Sequence, residues 1–253
     1  GSFIATSNIT VSAIAVTGVT VNPTAAALTV NATQQLTATV APANASNQAI
    51  TWSSSNAAVA TVSASGLVTA VSSGTATITV TTLDGSKTAT SIITVSQGSL
   101  TGSGIASITT VNLTTEGTAD WAHWYGYDHK SSGGGKISNY TIIGTGTVTN
   151  YTDDLRTLTW SDGTPTLSGS NKNGIYRTGI GRGFQITAPA DLTTRVLKVY
   201  VGGWQSGGTL TAQLSDGSAA DYVNTSISSA TGQYSAVYTL TYKAASAGKL
   251  LTV

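Results

Sequence analysis

Runs in which apolar residues recur at every second position constrain this chain more than any other feature. Leu36–Val40, Ala76–Val80 and Leu197–Val201 each alternate apolar and polar residues over five positions. Strict alternation lines one face of a pleated strand with apolar side chains. Thr, Val and Ile fill these runs, and they suit a half-buried pleated surface. Turn signals break them up: Asn44, Asp84-Gly85, Asp162-Gly163 and Asp216-Gly217. No amphipathic helix lies between them, and Ala-rich pieces such as Thr24–Leu28 are too short to hold a helix. The expected fold class is all-β, with strands packed in sandwiches rather than βαβ units.

Side-chain chemistry divides the chain. Of 17 aromatic residues in 253, 15 lie beyond residue 100, while Asp84 and Lys87 are the only charges before it. Two modules with different surfaces explain this most simply. The segment Ser96–Gly104, SQGSLTGSG, reads as a linker of small and polar residues. The expected organisation is a first module over residues 13–96, a linker over 97–104 and a larger module over 105–253. An internal repeat accounts for what precedes them. Ala5–Ser12 (ATSNITVS) and Ala89–Ser96 (ATSIITVS) agree at seven of eight positions, at an offset of 84 residues, about one Ig-like domain. Residues 3–12 therefore read as the last strand of an upstream module, with Gly1-Ser2 an added dipeptide. The chain is expected to be a piece of a longer multi-modular protein.

Composition excludes several functions. Charged residues make up 8% of the chain and the net charge is +1. There is no basic field to hold nucleic acid. No run of 18 apolar residues occurs, so no membrane insertion is expected. Without cysteine there is no disulfide, zinc-thiolate site or thiol catalysis. Ser and Thr, 77 residues together, replace charge as the source of solubility. The seven Asn-x-Ser/Thr sequons follow from that abundance and say little about glycosylation.

The first module carries a motif series. Val19–Pro23 is an opening strand followed by Pro. Gln35–Ala38 reads QLTA, Trp52–Asn56 reads WSSSN, Gly66–Ala70 reads GLVTA and Gly74–Ile78 reads GTATI. In this order they resemble the bacterial Ig-like group 2 domain. The resemblance implies a small β-sandwich of bacterial surface and secreted proteins. Trp52 is expected as the core plug between two sheets. The module has one Asp and neither His nor Glu, so it cannot assemble an acid–base pair or a metal cluster. It reads as a spacer.

The second module carries whatever chemistry there is. Strands are expected near Ile105–Thr114, Tyr140–Ile143, Phe184–Ala188, Arg195–Val201, Thr209–Leu214, Ser235–Tyr242 and Leu250–Val253, enough for a jelly-roll-type sandwich. Its most informative stretch is Ala119–Lys130, ADWAHWYGYDHK. Trp121 and Trp124 stand three apart, so on a strand they face opposite ways. Tyr125 and Tyr127 share the face of Trp121 if the strand runs on. Such an aromatic row would stack on sugar rings, and Trp121, Trp124, Tyr125 and Tyr127 are candidate ligand-binding residues. Trp204 joins them, in the loop GGWQSGG: it either folds back as a lid or contacts a ligand. Trp160 is expected to pack beneath the Ser161–Pro165 turn.

Nothing here assembles a catalytic site. Glycosidases need two carboxylates facing across a cleft, and Asp162, Asp191 and Asp216 have local explanations in turns. Adjacent Asp153 and Asp154 would suit structural calcium if they lay in a loop. No cofactor is otherwise expected. His123 and His129 stand six apart with no zinc motif, and no GxSxG elbow occurs. The expectation is a non-enzyme.

The segments EGTADWAHW, SDGTPT, RGFQITAPADLTTRVLKVYVGGW and LTAQLSDGSAADY are similar to an uncharacterised β-sandwich module of large secreted bacterial proteins, and broadly to jelly-roll carbohydrate-binding modules. Such a module would be expected to continue past Leu250–Val253 with a closing strand. The resemblance implies an extracellular or cell-surface location. One function is a carbohydrate-binding appendage whose partner is a polysaccharide or cell-surface glycan. The other is a structural or adhesive protein (an adhesin stalk, a surface-layer or filament subunit) that self-associates through neighbouring modules. Binding of a glycan should depend little on salt, because no basic cluster is evident.

Overall fold

The computed structural model describes Ser7 and residues 12–253; the strand expected over residues 3–12 lies outside the described residues apart from Ser7 and Ser12. The chain is nearly all β and divides between Gln97 and Gly98 into two units. Among the described residues no helix is long and apolar enough to cross a membrane.

Alternation builds the first unit as the sequence demands. Strand β8 (Gly74–Thr82) buries Ala76, Ile78, Val80 and Thr82 and leaves the residues between them partly open. Its neighbour β9 (Thr88–Ser96) buries Ser91, Ile93 and Val95. With β2 (Ala25–Thr29) and β5 (Ile50–Ser54) they form a sheet in the order β2-β9-β8-β5, in which only β2–β9 is parallel. Opposite lie β1 (Gly18–Asn22) with β4 (Thr37–Ala41), and β3 (Thr33–Gln35) with β7 (Leu67–Ala70) and β6 (Ala60–Val62). Leu36, Val68, Ile78, Val80 and Ile93 fill the centre. The lone carboxylate of this unit is structural. Asp84 accepts the amide of Val16 at 2.9 Å, while Thr82 Oγ1 donates to the Asp84 carbonyl at 2.7 Å and accepts the Lys87 amide at 2.9 Å. These bonds close the β8–β9 turn.

Trp52 is not the plug that its solitude suggests. It sits on β5, an edge strand, and packs against the core while staying partly open. Its ring lies beside Gly66, whose φ is +83°. A Cβ there would come 2.7 Å from the Leu36 carbonyl and 3.0 Å from the Trp52 ring.

In the second unit two sheets share a core. One is β10 (Ser99–Ala106), β25 (Gln233–Lys243) and β22 (Arg195–Trp204) in that order. The other is β21 (Thr187–Ala190), β26 (Lys249–Thr252), β23 (Leu210–Leu214) and β24 (Tyr222–Asn224). All neighbours are antiparallel, and pairing is nested: β21 with β26, β22 with β25, β23 with β24. Leu197, Tyr238, Leu240 and Tyr242 from the first sheet meet Ala188, Ala212, Leu214 and Leu251 from the second. The result is a sandwich of three and four principal strands; a jelly roll has eight.

The linker expected over residues 97–104 is instead most of β10, paired with β25 along all eight of its residues. Its small residues have a packing cause. A Cβ at Gly102 would lie 2.7 Å from the Tyr222 ring, and one at Gly104 would lie 2.5 Å from the Tyr238 ring. The strand expected at Ile105–Thr114 accordingly ends at Ala106.

Between β10 and β21 the chain makes an insertion of short pieces. These are β11 (Val111–Asn112), the single helical turn α1 (Leu113–Glu116), β12 (Ala122–His123), β13 (Asp128–Lys130), β14 (Thr141–Ile143), β15 (Thr149–Tyr151), β16 (Leu158–Trp160), β17 (Gly163–Thr164), β18 (Gly169–Asn171), β19 (Gly174–Tyr176) and β20 (Gly183–Gln185). They pair as β11-β16-β18, β12-β13-β17, β14-β20 and β15-β19. Val111, Leu113, Trp121 and Trp160 give the insertion its own small core, with Tyr200 of β22 packed against it.

Gly66→Ala should lower the stability of the first unit by about 1–3 kcal/mol, because the position requires a left-handed backbone and has no room for a methyl. Calorimetry of the whole chain checks this. The first-unit transition should move down while that of the second unit stays; an unmoved first transition would refute the tight packing at Gly66.

Candidate functional site

The aromatic stretch does not form a row. β12 and β13 make a hairpin, with His123 opposite Asp128, so Trp124–Tyr127 is its turn rather than a continuing strand. Tyr127 takes a φ of +56° there. Trp121 is 3% exposed and stacks on Trp160 at 5.7 Å between ring centroids. Its indole N–H donates to Asp162 Oδ1 at 2.8 Å. Trp121 is therefore a core residue, and the expectation that it binds ligand is corrected. Trp124, three residues on, packs against a different core, that of the sandwich, and is partly buried there. Tyr127 is partly covered and packs on the His129 ring. Of the five candidates, Tyr125 and Trp204 are exposed, at 38% and 66%.

Trp160 does pack beneath its turn. It is buried, and its N–H donates to the Thr166 carbonyl at 2.9 Å. Asp162 anchors the same corner, accepting from Thr114 at 2.6 Å, from Trp121 and from Lys130. Burial alone would raise its pKa, but the hydrogen bonds from Lys130, Thr114 and Trp121 outweigh burial and hold it down at about 2.

Asp154 is not a calcium ligand. Both its oxygens are taken: Oδ1 accepts from the Arg156 amide at 2.8 Å, from Arg156 Nε at 3.0 Å and from Ser235 Oγ at 3.0 Å, and Oδ2 from Arg156 Nη2 and Tyr151 OH, each at 3.0 Å. The guanidinium then reaches the carbonyls of Ala236, at 2.8 Å, and Val201, at 2.9 Å. These two residues face each other across β22 and β25. The pair is almost wholly buried, with side chains 2% and 7% exposed, and it pins the insertion to the sandwich. Burial opposes the charge on Asp154, yet the bonds from Arg156 hold its pKa below the ordinary carboxylate value. The neighbouring Tyr151 hydroxyl is pushed up, by burial first and then by the Asp154 charge. His123 is buried, with Nε2 at 2.9 Å from the Asn173 carbonyl. Among the described residues no group of three His, Cys, Asp or Glu could hold a metal ion.

One groove lies where insertion meets sandwich. It encloses about 500 Å³ and is lined by Ile143 and residues 179–184 on one side and by Gly207, Gly208 and Thr209 on the other. Trp204 ends β22 at the root of the loop that carries the second wall. Sequence reasoning missed this groove and the Asp154–Arg156 pair, because both depend on contacts between distant segments. The repeated glycines of Thr178–Gly183, TGIGRG, were the one available signal for the first wall.

Residues 15–93 match the bacterial Ig-like domain (group 2), as the motif series implied. An uncharacterised protein of Clostridium acetobutylicum is 45% identical over 74 residues, 29% of this chain and 8% of that protein. An Ig-like virion protein of Serratia phage KSP90 is 44% identical over 80 residues, 31% of this chain and 31% of that protein. The chain thus spans less than a third of the length of either relative.

Asp154→Asn should destabilise the second unit by about 3–5 kcal/mol, because it leaves the Arg156 charge buried and uncompensated. Acid should act in the same direction. Asp154 and Asp162 have depressed pKa values in the folded chain, so the unfolded chain binds more protons at low pH. Their contribution is complete above about pH 4 and drains away as pH falls toward 2. Melting of the second unit should therefore drop across that window, and less steeply in Asp162→Asn.

Proposed function

We propose that this chain is a non-catalytic piece of an extracellular or cell-surface protein, in which an Ig-like spacer presents a β-sandwich that binds a polysaccharide or cell-surface glycan. The observation that carries this reading is Trp204. Trp204 is two-thirds open to solvent at the end of a well-paired strand, and it precedes the loop whose Gly207, Gly208 and Thr209 line the groove. The flat apolar face of a sugar ring suits an indole. Tyr125 offers a second exposed ring. Trp121 drops out of the ligand set, and Trp124 and Tyr127 keep only partial surfaces.

The non-catalytic reading is supported by what the carboxylates already do. Asp120, Asp128 and Asp216 hold backbone amides in turns, and Asp154, Asp162, Asp191 and Glu116 are in ion pairs. A structural or adhesive role is the second reading, favoured by the similarity of part of the chain to a phage virion protein.

Trp204→Ala should weaken binding on a glycan array by several-fold, at least about 1 kcal/mol, with unchanged melting. Trp121→Ala should lose binding only by unfolding. The glycan reading fails if no substitution at Trp204 or Tyr125 changes binding in a folded chain, or if nothing on the array binds. Light scattering that then finds a defined oligomer would favour the structural reading.

A further inference from the structure

The chain has four arginines, and two are neutralised: Arg156 by Asp154 and Arg195 by Asp191. Among the described residues Arg177 and Arg182 have no carboxylate partner, and the fold places them side by side. Arg177, just past β19, reaches across to the loop that follows β14. Its Nη1 donates to the carbonyl of Ile143, and its Nη2 to those of Thr145, at 2.8 Å, and Gly146, at 3.1 Å. Arg182 Nη1 donates to the Thr178 carbonyl at 3.0 Å. A Cβ on Gly146 would stand 3.0 Å from Arg182 Nη1 and 3.7 Å from Arg177 Nη2, so both guanidinium groups flank one backbone position. Neutral carbonyls satisfy part of their hydrogen bonding but cancel neither charge. The Arg177 Nε–H is buried with no acceptor, and such donors rarely go unmatched.

The location gives this pair of cations a use. Arg182 lines the groove together with Ile143, Ile180 and Phe184. Ile143 is about half exposed and Ile180 fully exposed. A cation beside an apolar wall matches a ring that carries an anion: the ring covers the isoleucines, and the anion accepts the charge-assisted bonds that a neutral sugar could not.

We infer that this groove takes an acidic sugar residue, its carboxylate or sulfate paired with Arg182 and supported by the charge of Arg177. The inference rests on the glycan reading above and narrows it to anionic glycans. It also replaces the expectation that salt has little effect: the basic cluster exists, but folding assembles it.

The test measures binding of the whole chain to polygalacturonate and to dextran sulfate, each beside its neutral counterpart, methyl-esterified polygalacturonate and dextran. At least one charged polymer should bind at least tenfold more tightly than its neutral form; which of the two does so distinguishes carboxylate from sulfate. Arg182→Gln should remove most of that difference without changing the melting temperature. Lys87→Gln, which removes the same charge from the other unit, should change nothing. Raising NaCl from about 0.05 to about 0.5 M should weaken the charged interaction. The inference is overturned if Arg182→Gln binds like the parent, if Lys87→Gln loses as much, or if the neutral polymers bind equally well. Binding of neutral polymers alone would leave the glycan reading standing and sink this one; no binding to any of the four would also sink this one, and the glycan reading would then stand or fall on the array.

Discussion

One buried ion pair ties the insertion of the second unit to its sandwich. The insertion between β10 and β21 is built of strands two or three residues long, too short to hold a position by backbone pairing. Its own core is four large side chains. Asp154 and Arg156 add a buried constraint to the Lys198–Glu116 pair and the packing of Tyr200, because the guanidinium bonds to carbonyls of both β22 and β25 while the carboxylate collects Tyr151 and Ser235. Breaking such a pair strands a charge in a buried position. The groove has one wall on the insertion and the other on the loop between β22 and β23.

Scarcity of charge shapes the rest of the molecule. With few ionic side chains available, carboxylates are used as anchors for turns: Asp84 in the first unit, Asp162 and Asp216 in the second. Aromatic rings do the filling, and glycine makes room for them. Gly102 and Gly104 lie under Tyr222 and Tyr238, and Gly169 lies under Trp160. A glycine-rich segment that carries a ring is a rigid part of a sheet, although its composition is that of a flexible connector. Against this background Arg177 and Arg182 stand out because the fold sets both guanidinium groups beside one backbone position, Gly146.

The aromatic stretch Ala119–Lys130 shows where pattern reading stopped. Its alternation is that of a strand, but two residues pair on each side of a tight turn, and the rings leave in different directions. Trp121 enters the insertion core and Trp124 the sandwich core. Their opposite directions were readable from their spacing. That one ring is buried and the other partly covered was not, because coverage depends on which strands far away in the sequence arrive against them. Trp204 could be narrowed to two fates; the structure leaves it open.

The sequence by itself determined the all-β class, the Ig-like module with its motif series, and most of the long strands of the second unit. These rest on period-two alternation and turn chemistry, which act between neighbours in the chain. Only the tertiary structure decided that the small residues at 99–104 form a strand, that Asp154 meets Arg156 instead of calcium, and that Arg177 and Arg182 share one corner of a groove. Each of those outcomes depends on which distant surface arrives opposite a residue. Local pattern carries the backbone's preference, but burial and charge pairing belong to the assembled chain.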